Sequence, residues 1–125
     1  MRLLLDTHVF LWLEQDPGRI APAILKTLQD PENILYLSAV SVWEIATKKN
    51  KGALRFDGDV QAIATRYGLL ELSISWAHSQ VAGALPLVHR DPFDRMLVAQ
   101  AQVEDLTLVS IDRYLQRYDV RVLWA

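Results

Sequence analysis

The sequence contains no cysteine, no long apolar run and no large excess of charge of either sign. Without cysteine the chain can form neither disulfides nor thiolate-ligated metal sites, and it has no thiol nucleophile. No apolar run approaches the length of a membrane span, and the first residues lack the basic and apolar regions of a signal peptide, so we expect a soluble cytoplasmic protein. The formal net charge of −2 gives no strong overall attraction to nucleic acid or anionic lipid.

Apolar side chains, in contrast, are abundant and make up 51% of the 125 residues. A chain of this length forms one domain by default, and we predict a single domain over residues 1–125. Four tryptophans and a helical segment at 7–15 that is apolar on nearly all sides add to the apolar surface. A helix without a polar face is either buried or forms an interface, and we expect part of the apolar surface of the chain to be buried against a partner.

Short apolar runs alternate with helical patterns along the chain. The runs predict strands at 2–5, 34–38, 69–74 and 107–110, with a final one at 120–123. Apolar residues at helical spacing predict helices at 7–15, 21–28, 41–51, 60–67, 77–85 and 92–101. The alternation predicts an α/β fold in which helices cover both faces of a parallel sheet of four to five strands.

Four acidic residues follow predicted strands or lie in the first turns of the helices after them. Asp6 directly follows the first strand, and Asp112 follows the fourth. Glu44 and Asp94 each lie one turn into a predicted helix. Because ligands of open α/β sheets gather beyond the carboxyl ends of the strands, we expect all four acids at that edge.

Each of these acids also suits a purely structural role at a helix N-terminus. Ser41 and Glu44 form a capping-box pattern, with Ser41 as the predicted N-cap. Asp91 precedes a proline and fits an N-cap, which places Asp94 in the first turn. The other two acids could each cap the helix that follows them. Taken singly, each acid is more typical of a cap than of a catalytic group.

As a group, the four acids indicate a metal site. Carboxylates that converge on one place raise one another's pKa and need a cation. Oxygen ligands without sulfur favour Mg²⁺ or Mn²⁺, and such ions can orient a water and neutralise charge on a phosphodiester. Thr7 and Ser110 stand close to Asp6 and Asp112 in the sequence and could hydrogen-bond these carboxylates or a bound water.

Four segments together resemble the PIN-domain nucleases and, within them, the VapC-type toxins of type II toxin–antitoxin pairs. They occur in the family's order and spacing and cover almost the whole chain. The run His-Arg-Asp-Pro-Phe-Asp-Arg is the most specific of them. The segments are Leu4 to His8, Ser38 to Ile45 with Lys48, His89 to Arg95 continuing to Ala101, and Leu108 to Asp112.

The resemblance implies a PIN-like three-layer α/β/α sandwich and a metal-dependent endoribonuclease. Asp6, Glu44 and Asp94 match the family's core acidic triad, and Asp112 matches its more variable fourth acid. All four are expected to be catalytic residues that hold Mg²⁺ or Mn²⁺. The resemblance also implies an RNA substrate, inhibition by a cognate antitoxin, and a homodimer or a higher toxin–antitoxin assembly.

Five further polar residues are candidates for contacts with the acids or with RNA. Asp94 is assigned to the metal, and Asp91 either to the helix cap or to a contact with the metal ligands. The basic residues would offset the repulsion between phosphate and the acids. The five are Thr7, Asp91, Ser110, Lys48 and Arg95.

Two histidines and a tryptophan near these segments favour structural roles. His8 and His89 could contact phosphate or transfer protons, but a histidine beside apolar residues is more typical of a structural hydrogen bond. Trp43 could stack on a base, yet packing in the core or at an interface is the more common role.

Two other classes of protein remain as alternatives. A receiver-like signalling domain also binds Mg²⁺ through acids, but it needs a lysine at the end of a later strand, which the sequence lacks. A catalytically idle binding domain, in which all four acids serve as caps, is compatible with the sequence.

Overall fold

The structure, a computed structural model, describes residues 1–125 and contains six α-helices and a sheet of five strands. Short 3-10 turns lie at Pro17–Arg19 and Arg113–Arg117. None of the helices is long and apolar enough to cross a membrane. The elements are β1 (Arg2–Leu5), α1 (Thr7–Gln15), α2 (Pro22–Gln29), β2 (Ile34–Ser38), α3 (Ala39–Asn50), α4 (Val60–Arg66), β3 (Leu69–Leu72), α5 (Trp76–Ala84), α6 (Pro92–Glu104), β4 (Thr107–Ser110) and β5 (Val122–Trp124).

The five strands form one parallel sheet in the order β3-β2-β1-β4-β5, which confirms the predicted α/β class. The first strand is central, with β2 on one side and β4 on the other. Leu5, the last residue of β1, pairs with Leu37 and with Val109. This register places Asp6, Ser38 and Ser110 side by side at the carboxyl edge of the sheet.

The apolar run of β1 is explained by cores on both faces of the sheet. Leu3 and Leu5 pack into a cluster with α1, α2 and α4, including Phe10 and Ile63. Leu4 faces the opposite cluster, which contains residues of α6 such as Leu97. All three leucines of β1 are fully buried, and burial of each contributes roughly 2 kcal/mol of hydrophobic free energy. The central strand therefore holds its carboxyl end rigidly in place.

Helix α1 is apolar because most of its side chains lie in this core. Val9, Phe10, Leu11 and Leu13 are all buried within the chain itself. Of the two roles expected for such a helix, burial and an interface, the structure shows burial. The exposed apolar residues lie elsewhere, and Trp76 at the start of α5 is the most exposed of them.

Helix α3 begins earlier than predicted, and the capping box at Ser41 does not form. Ser38, the last residue of β2, is the N-cap and accepts a hydrogen bond from the Val40 N–H at 3.0 Å. Ser41 is then the third helical residue, and Glu44 lies in the second turn. Both serines suit a cap, and the end of β2 decides between them. Glu44 is thereby free of a capping role.

Other boundaries shift by a few residues. Strand β3 ends at Leu72 rather than at residue 74, because Ser75 becomes the N-cap of α5 and His78 completes a capping box there. Strand β5 starts at Val122, two residues later than predicted. These differences lie away from the acids and do not change how the sheet presents them.

Candidate functional site

The four predicted acids reach the carboxyl edge of the sheet from four different elements. Asp6 follows β1, Asp112 follows β4, Glu44 projects from α3, and Asp94 lies in the first turn of α6. Asp6 and Glu44 are almost completely buried, at 3% and 2% exposed, whereas Asp94 and Asp112 are partly open to solvent. We call the buried pair with its hydroxyl partners the inner half of the site. The outer half consists of Asp94, Asp112 and His89.

In the inner half, both oxygens of Asp6 have donors. Oδ1 accepts the Val9 N–H at 2.8 Å, so Asp6 caps α1, as its alternative interpretation predicts. Oδ2 accepts a hydrogen bond from the hydroxyl of Ser110. Burial raises the pKa of the Asp6 carboxyl, and these hydrogen bonds oppose the rise. Capping and membership of an acidic site therefore coexist in one residue.

Glu44 is held in the same way by two side chains. The Thr7 hydroxyl donates to Oε1 at 2.6 Å and lies 3.0 Å from the Ser41 hydroxyl. The Lys48 ammonium, one turn along α3, forms an ion pair with Oε2. The hydrogen bond to Glu44 raises the pKa of Lys48, and the negative charges of Asp91 and Asp94 add to the rise. The Lys48 ammonium thus offsets the negative charge of Glu44 in the inner half.

In the outer half, one histidine nitrogen lies between two carboxylates. His89 Nε2 is 2.9 Å from Asp94 Oδ2 and 2.7 Å from Asp112 Oδ2. The other oxygen of Asp112, Oδ1, accepts the Tyr114 N–H and caps the turn that follows. One nitrogen and two carboxylate oxygens thus lie within 4.8 Å of one another, a grouping that could hold a metal ion.

The charges of the two halves act on one another. Burial raises the pKa of Asp94 to about 7, and the negative charges of Asp91, Asp6 and Glu44 add to the rise, while His89 opposes it. The charges of both inner carboxylates thus act on Asp94, and His89 links Asp94 to Asp112.

Asp91 and Arg95, both candidates for the site, have structural partners. Asp91 Oδ1 accepts the Phe93 N–H at 2.9 Å and caps α6. The Arg95 guanidinium donates to four backbone carbonyls instead of facing the acids. These belong to Ala82, Leu85, Pro86 and His89, at 2.9, 3.0, 2.9 and 3.3 Å. Arg95 therefore fixes the loop between α5 and α6.

The role of three residues in the site was not predicted from the sequence. The sequence pattern favours a structural role for His89. This residue nevertheless belongs to the segment that resembles the family most specifically, and that position is a signal for a role in the site. Ser41 was predicted as a cap and is instead buried beside Thr7. Tyr118, whose hydroxyl lies between the His89 N–H and the Pro86 carbonyl, carries no local signal at all.

His8 and Trp43 lie near the site without a polar contact to its acids. His8 is exposed on α1, next to the buried Thr7. Trp43 is 60% exposed, which excludes a core position, and its ring makes an edge contact with Phe93 at 5.2 Å between centroids. Trp43 and Phe93 directly precede Glu44 and Asp94 in the sequence.

Acids gathered at the carboxyl edge of a parallel α/β sheet lie where open sheets of this class bind their ligands. The PIN domain profile matches residues 3–121, nearly the whole chain. The chain belongs to the PIN-domain family, a family of nucleases. No curated protein matches the sequence at a significant level.

Solved structures of low sequence identity share the fold. A chain of the VapBC2 complex from Rickettsia felis, bound to a promoter DNA fragment, is 15% identical with a TM-score of 0.72, and the match covers 100% of both chains. VapBC from Salmonella typhimurium, also bound to DNA, is 15% identical with a TM-score of 0.69, over 98% of this chain and 97% of the other. VapBC-1 from nontypeable Haemophilus influenzae is 18% identical with a TM-score of 0.67, over the same shares.

Proposed function

We propose that this chain is a metal-dependent endoribonuclease that acts as the toxin of a toxin–antitoxin pair. The observation that carries the proposal is that Asp6, Glu44, Asp94 and Asp112 all lie at the carboxyl edge of the sheet, where Asp94 and Asp112 share His89. Burial, together with the charges of Asp91, Asp6 and Glu44, raises the pKa of Asp94 to about 7. Carboxylates brought this close repel one another, and a divalent cation relieves the repulsion. The PIN-domain family and the VapBC neighbours support the nuclease and toxin parts of the proposal.

The donor set fits a hard divalent cation. It consists of carboxylate oxygens, with hydroxyls from Thr7 and Ser110 that orient the buried carboxylates. Asp6, Glu44, Asp94 and Asp112 would hold Mg²⁺ or Mn²⁺. A cation bound there supplies Lewis acidity towards a phosphodiester and lowers the pKa of a coordinated water.

The residues of the chain itself contribute rigidity and charge balance. Thr7 and Ser110 keep the inner carboxylates in fixed positions, so that the acids need little rearrangement when a cation binds. Lys48 and the exposed Lys49 and Arg90 provide positive charge near the acids in sequence, which favours the approach of an RNA backbone. Such an enzyme would act in the cytoplasm, where its RNA is found.

Exposed apolar side chains support the proposed partners. An apolar groove of about 270 Å³ lies between α3, α4 and the edge strand β3 and is lined by Val42, Val60, Ala64 and Leu69. Such a groove suits the apolar face of an antitoxin segment. Trp43 and the most exposed tryptophan, in α5, are available for a homodimer contact, and a dimer bound to antitoxin would form the higher assembly.

The structure argues against the receiver-like alternative. Receiver domains have the strand order 2-1-3-4-5, whereas this sheet has the order β3-β2-β1-β4-β5. The idle binding domain differs from the proposed enzyme in one measurable respect. It predicts that the chain binds partners but never cleaves RNA.

Cleavage of RNA by the purified protein tests the proposal directly. We expect cleavage with added Mg²⁺ or Mn²⁺, none in EDTA, and none with Asp94→Asn. Asp57→Asn is the matched control, because Asp57 is an exposed acid that is not one of the four proposed ligands and the substitution removes the same charge. Full activity in EDTA would overturn the metal mechanism, and no activity with either ion would favour the idle binding domain.

The toxin role needs a separate experiment. Expression of the wild-type chain should stop bacterial growth, and Asp94→Asn should relieve the arrest. The product of an adjacent small reading frame, produced together with the chain, should bind it and block RNA cleavage. Growth that is unaffected by an active nuclease would contradict the toxin role while leaving the enzymatic one in place.

A further inference from the structure

His89 holds oxygen atoms that a metal ion would need. Its Nε2 contacts Oδ2 of both Asp94 and Asp112, at 2.9 and 2.7 Å. The other oxygen of Asp112 accepts the Tyr114 N–H, which orients the carboxylate so that Oδ2 faces His89. A cation that bridges the two Oδ2 atoms would take the position of the Nε2 hydrogen, and the contact with His89 would be lost.

The surroundings of the two ring nitrogens favour one tautomer of His89. The Asp91 N–H faces Nδ1 at 3.4 Å and two carboxylate oxygens face Nε2, which favours a hydrogen on Nε2. The Nε2–H then points at the two carboxylates and donates to them. A metal ligand needs a lone pair at that nitrogen, and ligating histidines donate from their other ring nitrogen, which is the reverse of this arrangement.

The backbone of His89 is held, so only its side chain is free to move. The Tyr118 hydroxyl accepts the His89 N–H at 3.0 Å and donates to the Pro86 carbonyl at 3.0 Å. Arg95 donates to the carbonyls of both Pro86 and His89. The loop is thus tied to α6 and to the turn after β4. The imidazole remains beside the site whether or not it contacts the acids.

We propose that His89 is a built-in competitor of the metal: it donates Nε2–H to Asp94 and Asp112 in the metal-free protein and must be displaced when a divalent cation binds. The inference rests on the proposed metal site and goes further, because it assigns His89 the role of lowering the affinity of that site. The tethered loop keeps the competing group at a high local concentration at all times.

Binding of Mn²⁺ alone, measured by calorimetry in the absence of RNA, tests the proposal. His89→Ala removes a hydrogen bond to charged groups, and we expect it to bind Mn²⁺ about tenfold more tightly than the wild type. His8→Ala is the matched control, since His8 is an exposed histidine near the site without a hydrogen bond to its acids. It should leave the affinity close to that of the wild type, which separates direct competition from a general effect of charge.

Pulsed electron paramagnetic resonance of the Mn²⁺-loaded protein provides a second measurement. We expect no directly coordinated ¹⁴N signal in the wild type. A ¹⁴N signal that disappears in His89→Ala, together with weaker Mn²⁺ binding, would show that His89 is a ligand and would overturn the proposal. Circular dichroism of each variant checks that the fold is retained. Tyr118→Phe offers a variant with an intact imidazole in case His89→Ala is unfolded, and a loosened loop should likewise bind Mn²⁺ more tightly.

The outcomes also separate this inference from the proposed function. Equal Mn²⁺ affinity in the wild type and in His89→Ala overturns competition by His89 but leaves the metal site intact. If neither protein binds Mn²⁺, the metal site itself is refuted, and the inference fails with it.

Discussion

The inner and outer halves of the site hold their carboxylates in different ways. In the inner half, Asp6 and Glu44 are buried and receive hydrogen bonds from Val9, Ser110 and Thr7. In the outer half, Asp94 and Asp112 share a single histidine and are partly open to solvent. The inner half is thus held by hydroxyl and backbone donors, with the Lys48 ammonium paired to Glu44. The outer half is held by a group that a cation would displace.

The largest expected effect is the loss of RNA cleavage, which substitutions in both halves should cause. The effect on stability distinguishes the two halves. Asp6→Asn and Asp94→Asn should each reduce RNA cleavage by at least about a hundredfold, because each removes a proposed metal ligand. In EDTA, Asp94→Asn should raise the melting temperature, since it removes a carboxylate whose charge is disfavoured in the folded protein. Asp6→Asn should lower it, because an amide cannot accept hydrogen bonds from both Val9 and Ser110. Equal melting temperatures would remove the distinction between the halves.

The preorganising role of the hydroxyls in the inner half is tested by Thr7→Val. Valine has nearly the shape of threonine but leaves Glu44 Oε1 without its donor. We expect the free energy of unfolding to fall by about 2 kcal/mol, the cost of an unsatisfied buried acceptor. Thr65→Val is the control, because the Thr65 hydroxyl bonds only to an exposed backbone carbonyl. Urea unfolding of both variants gives the comparison, and equal losses would contradict the assigned role.

The outer half should make the metal-free protein less stable as the pH rises. The pKa of Asp94 is about 7 in the folded protein, above its ordinary value of 3.8. Between about pH 4 and 7 the folded state therefore binds more protons than the unfolded state, and stability falls as the pH increases. Burial lowers the pKa of His89, but Asp112 and Asp94 raise it overall, and burial raises that of Asp6, so both act in the same direction.

Urea unfolding in EDTA at pH 5 and at pH 7.5 measures this dependence. We expect the protein to be more stable at pH 5 by roughly 2 kcal/mol. Asp94→Asn should reduce the difference, and saturating Mg²⁺ should stabilise the protein most at the higher pH, where the carboxylates are charged. A stability that rises from pH 5 to pH 7.5 without metal would contradict the proposed repulsion.

The smallest effect is expected from the cation of the inner half. Lys48→Met retains the aliphatic part of the side chain but removes the ion pair with Glu44, so the free energy of unfolding should fall by about 1 kcal/mol. Lys49→Met, at the next and exposed position of α3, should change it by less than about 0.5 kcal/mol. Thermal melts of the two variants suffice, and equal losses would show that the ion pair contributes nothing specific.

Most of the fold could be predicted because its signals are local. The buried strands β1, β2 and β4 were predicted with correct bounds, since apolar runs ending in a polar residue mark both a strand and its end. The N-cap of α3 was wrong because Ser38 and Ser41 are chemically equivalent candidates. The choice between them depends on where β2 stops pairing with its neighbours, which is not a local property.

The site residues likewise include some that could be predicted from local sequence and some that could not. The acids were identified as a group because each follows a strand or begins a helix. The partners of those acids could not be predicted, since Ser110 meets Asp6 across 104 residues and His89 meets Asp112 across 23. Arg95 was expected to face the substrate, yet its guanidinium matches a set of loop carbonyls that exists only after α5 and α6 have packed.

The sequence by itself determined the parallel sheet, the order of its segments and the delivery of four acids to one edge, because periodicity and strand ends are encoded over a few neighbouring residues. Only the tertiary structure decided which carboxylate oxygens accept hydrogen bonds, and from which donors. The pairing of β1 with β4 brings Ser110 to Asp6, and the loop fixed by Arg95 and Tyr118 brings His89 to Asp94. Such contacts depend on register and packing between distant segments, and these determine how each half of the site can receive a cation.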